Sequence, residues 1–332
     1  MSYKNSGVDV HAADQWVEGI QNKIGTQELI SGVGDYAAVY KLNDREWVAT
    51  SCDGIGTKIL WTLKGLGTPK DLAQDLLAMN VNDVLCTGAT PKLFLDYIAC
   101  SGKEALQENG FLKKFIYGLA DVCKENEQIL AGGETAQMPD LYKGEEFDTA
   151  GFSVGFMQPE NYIHPQKLEE GAELWGWTSN GPHSNGFTWL RKLFDSKKDA
   201  EIIQKNFTAP TRIYIKEFRD LRAKLEANSC LAAYHVTGSG LLNLLRSQNQ
   251  WGFELNTWPK ELPSWLQVIQ ERSKASTKEL LSTFNGGYGF IVAVKKGSDQ
   301  QNSFLEQAGL KFLGSVSSKP GVRVPQLEVE LT

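Results

Sequence analysis

A succession of strand, glycine-rich loop and helix recurs along the chain and restricts it to a layered architecture of sheets and helices. Trp47-Val48-Ala49-Thr50-Ser51 reads as a strand that delivers Asp53-Gly54-Ile55-Gly56-Thr57-Lys58. Glu173 to Thr178 is another, ending in Ser179-Asn180-Gly181-Pro182-His183-Ser184-Asn185-Gly186 before a helix from Phe187 to Phe194. Cys230 to Tyr234 ends in His235-Val236-Thr237-Gly238-Ser239-Gly240 before a helix from Leu241 to Arg246. Thr283 to Gly289 leads in turn into a strand from Phe290 to Val294. A loop entering a helix presents unpaired N–H groups at the positive end of the dipole, which suits phosphate. Glycine lets the backbone come close.

The stretch from Thr68 to Pro91 adds a chemical demand. Thr68 is an N-cap with Pro69 at the first helical position, and Leu72, Leu76, Leu77 and Met79 recur at helical spacing. Asn80 and Asp83 then project from one face, and Gly88 supplies the left-handed residue that ends helices. A single Asp there is ordinarily a cap or a surface ion pair. Here a second acid, Asp53, follows a strand, and a third, Glu134, sits in Gly132-Gly133-Glu134-Thr135 after the short strand Gln128-Ile129-Leu130. Three acids beside glycine or asparagine are what a hydrated Mg²⁺ carrying a polyphosphate needs. Gly54, Gly56, Thr57 and Lys58 are then the phosphate side of the site. His183 and His235, at strand-to-loop transitions flanked by Ser, Thr or Asn and glycine, read as proton carriers, with Ser184 and Asn185 offering N–H groups to phosphate. His11 and His164 read as packed or surface residues.

Two nucleotide signatures are weak or missing. Gly32-Val33-Gly34-Asp35-Tyr36-Ala37 fits G-x-G-x-x-A, but Tyr36 to Tyr40 and the turn at Asn43-Asp44 read as strand and turn, where that fingerprint requires a helix. No G-x-x-x-x-G-K-[ST] occurs. Further helices are expected over Ala12 to Ile24, Phe111 to Lys124 and Pro210 to Leu225, and strands over Leu93 to Ala99 and Asp148 to Met157. The sequence changes character between Pro159 and Gly171, so the boundary expected is 1–160 for one domain and 161–332 for the other.

With 41% hydrophobic and 22% charged residues the chain can bury a full core, and a net charge of -6 with scattered basic doublets argues against nucleic acid. Five cysteines without a C-x-x-C pair argue for reduced thiols in a cytoplasm and give zinc no support. The N-terminus carries no apolar signal core, and the best apolar run, Gly289 to Val294, is too short for a bilayer.

Taken in order, seven motifs resemble the phosphoribosylformylglycinamidine cyclo-ligase (aminoimidazole ribonucleotide synthetase) family. They are Tyr3-Lys4 to Asp9, Asp53 to Lys58, Asp83 to Pro91 as D-x-x-x-x-G-A-x-P, Gly132 to Ala136, Gly181 to Gly186, Ala209-Pro210-Thr211-Arg212-Ile213-Tyr214, and His235-Val236-Thr237-Gly238. The resemblance implies an α/β fold of the α+β type in two domains. The N-terminal domain binds ATP and Mg²⁺ and pairs its sheet with that of a second copy into a barrel; the C-terminal α/β domain carries substrate and catalysis. It implies ATP-dependent closure of the imidazole ring of formylglycinamidine ribonucleotide in purine biosynthesis, in a cytoplasmic homodimer. It brings Lys4 beside His183 and His235 as a catalytic candidate, Thr237 and Gly88 as nucleotide contacts, and Asp53, Asp83 and Glu134 as metal ligands. Asp35-Tyr36-Ala37 departs from the family's Gly-Phe-Gly and is similar to the Gly-Asp-Asp-Ala loop of thiamine-monophosphate kinase, which makes Asp35 a further metal ligand. Ser239 and Gly286 also depart. The alternatives are a kinase of the same superfamily and a non-catalytic ligand-binding dimer.

Overall fold

The computed structural model describes Gly7 and residues 10–24, 28–226, 228–248 and 250–332. Two mixed sheets organise it. The first contains β1 (Leu29–Ser31), β2 (Ala38–Lys41), β3 (Trp47–Gly54), β4 (Thr90–Cys100), β5 (Ile129–Gln137) and β6 (Phe147–Met157). Its order is β1-β2-β3-β6-β4-β5, with only β4 and β5 parallel. The second contains β7 (Glu173–Thr178), β8 (Cys230–His235), β9 (Gly252–Glu254), β10 (Tyr288–Val294), β11 (Lys311–Ser317), β12 (Gly321–Val324) and β13 (Val329–Leu331), in the order β13-β12-β9-β11-β7-β10-β8.

The helix Pro69–Leu85 lies at the centre. Thr68 caps it by accepting from the Asp71 N–H at 3.1 Å, with Pro69 inside the first turn. It packs against the helix Phe111–Glu125, the first sheet, and the elements of the second half. That position buries its polar residues Asp75, Asn80, Asn82 and Asp83 along with its apolar ones. Strand β6 makes room for it with small residues. A Cβ on Gly151 would lie 2.6 Å from Asn80 Nδ2, and one on Gly155 would lie 2.5 Å from Val84 Cγ1. Glycine is therefore required at both places for the helix to reach the sheet.

The other face of the first sheet is open to solvent at several apolar positions. Phe152 is 40% exposed and Ile129 52%, and Cys52 is open to solvent. In the second sheet β8 and β10 are buried along their whole length, which matches their continuous apolar sequence. Among the described residues no helix is long and apolar enough to cross a membrane.

Three elements differ from expectation. The helix expected from Pro210 begins at Ile215, because polar side chains of the central helix hold the preceding segment extended. Asp75 accepts the Thr211 N–H at 2.7 Å, Asn82 accepts the Tyr214 N–H at 3.1 Å, and Asn82 Nδ2 donates to the Arg212 carbonyl at 2.8 Å. Strand β5 runs on to Gln137, so Glu134 is inside a strand rather than in the loop after one. The segment after Ser239 is a short 3₁₀ turn, Gly240–Leu245.

Candidate active site

Strand β3 and the central helix meet at Asp53. Asn80 Oδ1 accepts the Asp53 N–H at 2.8 Å and Asn80 Nδ2 donates back to the Asp53 carbonyl at 3.1 Å. This fixes the backbone, while the carboxylate accepts the Gly54 N–H at 2.7 Å and lies close enough to Asp83 to feel its charge. Burial first, and then the Asp83 charge, push the Asp53 carboxyl up to about 7. Two carboxylates that repel each other in a half-buried site are relieved by a divalent cation. Among the described residues no group of three or more His, Cys, Asp or Glu could hold a metal. A divalent cation at this pair would be held by the Asp53 and Asp83 carboxylates and would take its other ligands from phosphate and water.

Asp83 also binds a histidine. Its Oδ1 is 2.8 Å from His235 Nδ1, and His235 Nε2 is 3.3 Å from Asn82 Nδ2. The Asn82 amide donates and the carboxylate accepts, so the neutral ring carries its proton on Nδ1. His235 has no solvent exposure.

His183 is likewise sealed, in a left-handed conformation (φ 58°), with no hydrogen-bond partner on either ring nitrogen among the described residues. Its ring packs where a Cβ on Gly289 would stand, beside Tyr214. Burial holds this imidazole well below its ordinary pKa, assisted by the charges of His235, Lys58 and Arg212. The ring expected to carry protons is thus closed off from solvent in this conformation.

Lys58 is also corrected. Its Nζ lies 2.7 Å from Asp75 Oδ2 in a buried ion pair and donates to the Ala209 carbonyl at 2.9 Å, so its charge is matched inside the protein rather than presented to solvent. Asp75 takes, besides, the hydroxyls of Thr211 at 2.7 Å and Ser184 at 3.1 Å. One buried carboxylate thus ties together three loops that the sequence presents as separate motifs.

Residues 34–157 match the family described as AIR synthase related protein, N-terminal domain, and residues 169–325 match the corresponding C-terminal domain. The phosphoribosylformylglycinamidine cyclo-ligase of Finegoldia magna is 37% identical over 311 residues, 89% of each chain. That of Neisseria meningitidis is 33% identical over 342 residues, 97% of this chain and 96% of its own. The chain belongs to the AIR synthase family. Solved structures share the fold: Aquifex aeolicus thiamine monophosphate kinase has 16% identity and a TM-score of 0.62 over 95% of this chain and 97% of that one. Thermotoga maritima PurL complexed with ADP has 16% identity and a TM-score of 0.60 over 94% of this chain and 47% of that one.

The remaining AIR synthase motif residues fall into two groups. Gly56 is left-handed (φ 71°) in open space, Thr57 Oγ1 is 3.1 Å from Thr188 Oγ1, and the Asn185 Nδ2 donor is buried without a partner. The Thr237 carbonyl accepts from the Gly240 N–H at 3.0 Å. Gly54 has no room for a side chain, since a Cβ would lie 3.0 Å from the Thr149 carbonyl oxygen. These line the loops around Asp53 and His235. Others stand apart. Register places Asp53, Gly151, Asp96 and Gly133 in one row across β3, β6, β4 and β5, so Glu134, next to Gly133, is three strand spacings, about 14 Å, from Asp53. Asp35 faces His164 at 3.4 Å and accepts the Gly32 N–H at 3.1 Å, and is no neighbour of the acid pair. Gly88 is left-handed as expected, but its missing side chain makes room for the Asn161 backbone. Lys4 lies outside the described residues, as does most of its motif.

Residues outside the motifs complete the site. Tyr36 donates to the Asn243 carbonyl at 3.3 Å, and Asn243 Nδ2 donates to the Gly238 and Gly240 carbonyls at 2.8 Å each. Arg246 stacks over the Tyr36 ring at 4.6 Å. Asp75 and Asn82 were legible in principle: they are two turns apart on one face of the helix, among Leu72, Leu76 and Met79, and buried there they demand polar partners.

Proposed function

We infer that this chain is an ATP-dependent cyclo-ligase that converts formylglycinamidine ribonucleotide to aminoimidazole ribonucleotide, ADP and phosphate in purine biosynthesis. The observation that carries the inference is its relationship, across nearly the whole chain, to curated cyclo-ligases at 33 to 37% identity. An amide oxygen is a poor leaving group, and transfer of the ATP γ-phosphoryl group to it makes a good one. The amidine nitrogen then attacks the same carbon and the C–O bond breaks to release phosphate.

Within that reaction the proposed division of labour gives residues 1–160 to ATP, metal and dimer formation, and residues 161–332 to substrate and catalysis. Asp53 and Asp83 are the proposed Mg²⁺ ligands, and the ion would neutralise charge on the nucleotide phosphates. The loops at Gly54-Ile55-Gly56-Thr57, Asn185 and Thr237 would receive the phosphates. His235 holds Asp83 through Nδ1–H. His183, neutral and with both ring nitrogens unpartnered, is the group that can take a proton once its loop opens. Lys4 keeps its candidacy through its family motif alone. The uncovered face carrying Phe152 and Ile129 supports burial against a second copy, and five free cysteines support a cytoplasmic setting.

The test is turnover: purified protein, ATP, Mg²⁺ and formylglycinamidine ribonucleotide should give stoichiometric ADP and a diazotisable aminoimidazole. ADP formed instead with thiamine monophosphate would favour the kinase, and no ADP with either would favour the binding dimer.

A further inference from the structure

We propose that Arg246 binds a phosphate group of one of the two reactants, on a shelf made by Tyr36. The proposal rests on the reading of Asp53 and Asp83 as the nucleotide–metal centre. Arg246 lines a cavity of 460 Å³ together with Gly34, Gly238, Ser239, Asn243 and Ser247. It is near enough to the acid pair for its charge to act on Asp53. Yet among the described residues no carboxylate forms an ion pair with it, although the other arginines close to the interdomain region find one or a carbonyl, such as Arg212 with Glu217 at 3.1 Å and Arg222 with the Asn161 carbonyl at 3.0 Å. A guanidinium held beside a cavity with its fork unspent fits a planar, bidentate anion.

The surroundings hold it there. The Tyr36 ring, itself buried, carries the guanidinium at 4.6 Å, and the Tyr36 hydroxyl is anchored on Asn243. The same Asn243 amide spans the carbonyls of Gly238 and Gly240, so the shelf and the loop are one rigid unit. A spare donor lies alongside: Asn185 Nδ2 is buried without a partner, and its Oδ1 is 3.6 Å from where a Gly238 Cβ would be. The arginine fork lines the cavity beside Gly238, and the amide of Asn185 packs against that same glycine, so both donors stand at one glycine turn suited to phosphate. The phosphate is either that of ATP or the 5′-phosphate of the ribonucleotide, the two phosphate carriers in the reaction.

The experiment compares Arg246→Gln, Arg246→Lys and Tyr36→Leu with the parent chain, reading kcat, the KM for each reactant, melting temperature, and calorimetric binding of ATP and of ribose 5-phosphate. A lost charge-assisted pair should raise the relevant KM about 10- to 100-fold. A rise confined to ATP assigns the nucleotide phosphate. A rise confined to the ribonucleotide, with ribose 5-phosphate binding lost, assigns the 5′-phosphate. Arg246→Lys should recover part of the affinity and Tyr36→Leu should weaken the same reactant. Both KM values within twofold of the parent would overturn the proposal, and so would a fall in melting temperature alone that lysine does not repair. Failure of the metal centre is read separately, from Asp53→Asn binding Mg²⁺-ATP normally.

Discussion

The Asp83 carboxylate and the His235 imidazole meet at 2.8 Å, across the boundary between the two halves of the chain, with Asn82 on the far side of the ring. Helix and strand are therefore locked together by the same carboxylate that faces Asp53. Asp83→Asn should separate the two duties, because its amide oxygen still accepts from Nδ1–H while the charge is gone. Calorimetry should show at least about tenfold weaker Mg²⁺-ATP binding, the range of a charge-assisted contact, with urea stability close to the parent. Asp83→Ala should additionally lose about 1–3 kcal/mol, since it leaves a buried donor without a partner. Unchanged nucleotide binding in Asp83→Asn would remove Asp83 from the metal centre.

Lys58 and Asp75 are both buried, so breaking the pair from either side strands a charge. Lys58→Met and Asp75→Ala should each cost about 3–5 kcal/mol of folding stability, read by urea denaturation. Asp75→Ala should be the worse of the two, because Thr211 and Ser184 lose their acceptor as well. A Lys58→Met protein that is fully stable but binds ATP poorly would restore the phosphate-ligand reading of the sequence.

What could be read from sequence was local. The start of the central helix at Thr68-Pro69 and the left-handed Gly88 follow from residue chemistry within a few positions. What could not be read was decided by partners far along the chain. Residues 211–214 follow Pro210 as a first helical turn would, but their backbone is claimed by Asp75 and Asn82 on another element. Lys58 beside glycines has the same sequence appearance whether it faces a phosphate or a buried acid. Glu134 lies in a strand next to glycines that clear space for Asp96, since a Cβ on Gly133 would be 2.5 Å from Asp96 Oδ1.

Asp96 gives a pH test independent of the metal centre. Burial raises its carboxyl above the ordinary value, and among the described residues it has no cationic partner. The folded state therefore prefers the protonated acid. The stability this preference supplies is complete below the unfolded pKa of about 3.9 and is lost as pH rises through the folded value. Asp96→Asn removes the titration, so its melting temperature should exceed the parent's at pH 8 and the gap should shrink toward pH 4. A gap that does not change with pH would mean the carboxylate is compensated.

His183 joins a left-handed backbone to a buried ring with both nitrogens unpartnered among the described residues. A non-glycine residue at φ 58° costs of order 1–3 kcal/mol, and two unpartnered ring nitrogens add to it. Such a residue persists where the surrounding packing over-determines it, and on the proposed reading ligand entry supplies the ring's partners. His183→Gln should lower kcat about 10²- to 10⁴-fold, the loss expected for a positioned acid or base. ATP affinity should stay within a few-fold, because on the proposed reading the ring moves a proton rather than holding phosphate. His183→Gly relieves the backbone and should be at least as stable as His183→Gln, which separates strain from chemistry. Normal turnover in His183→Gln would move the proton transfer to another group, and lost ATP binding would make the histidine a support for the nucleotide loops.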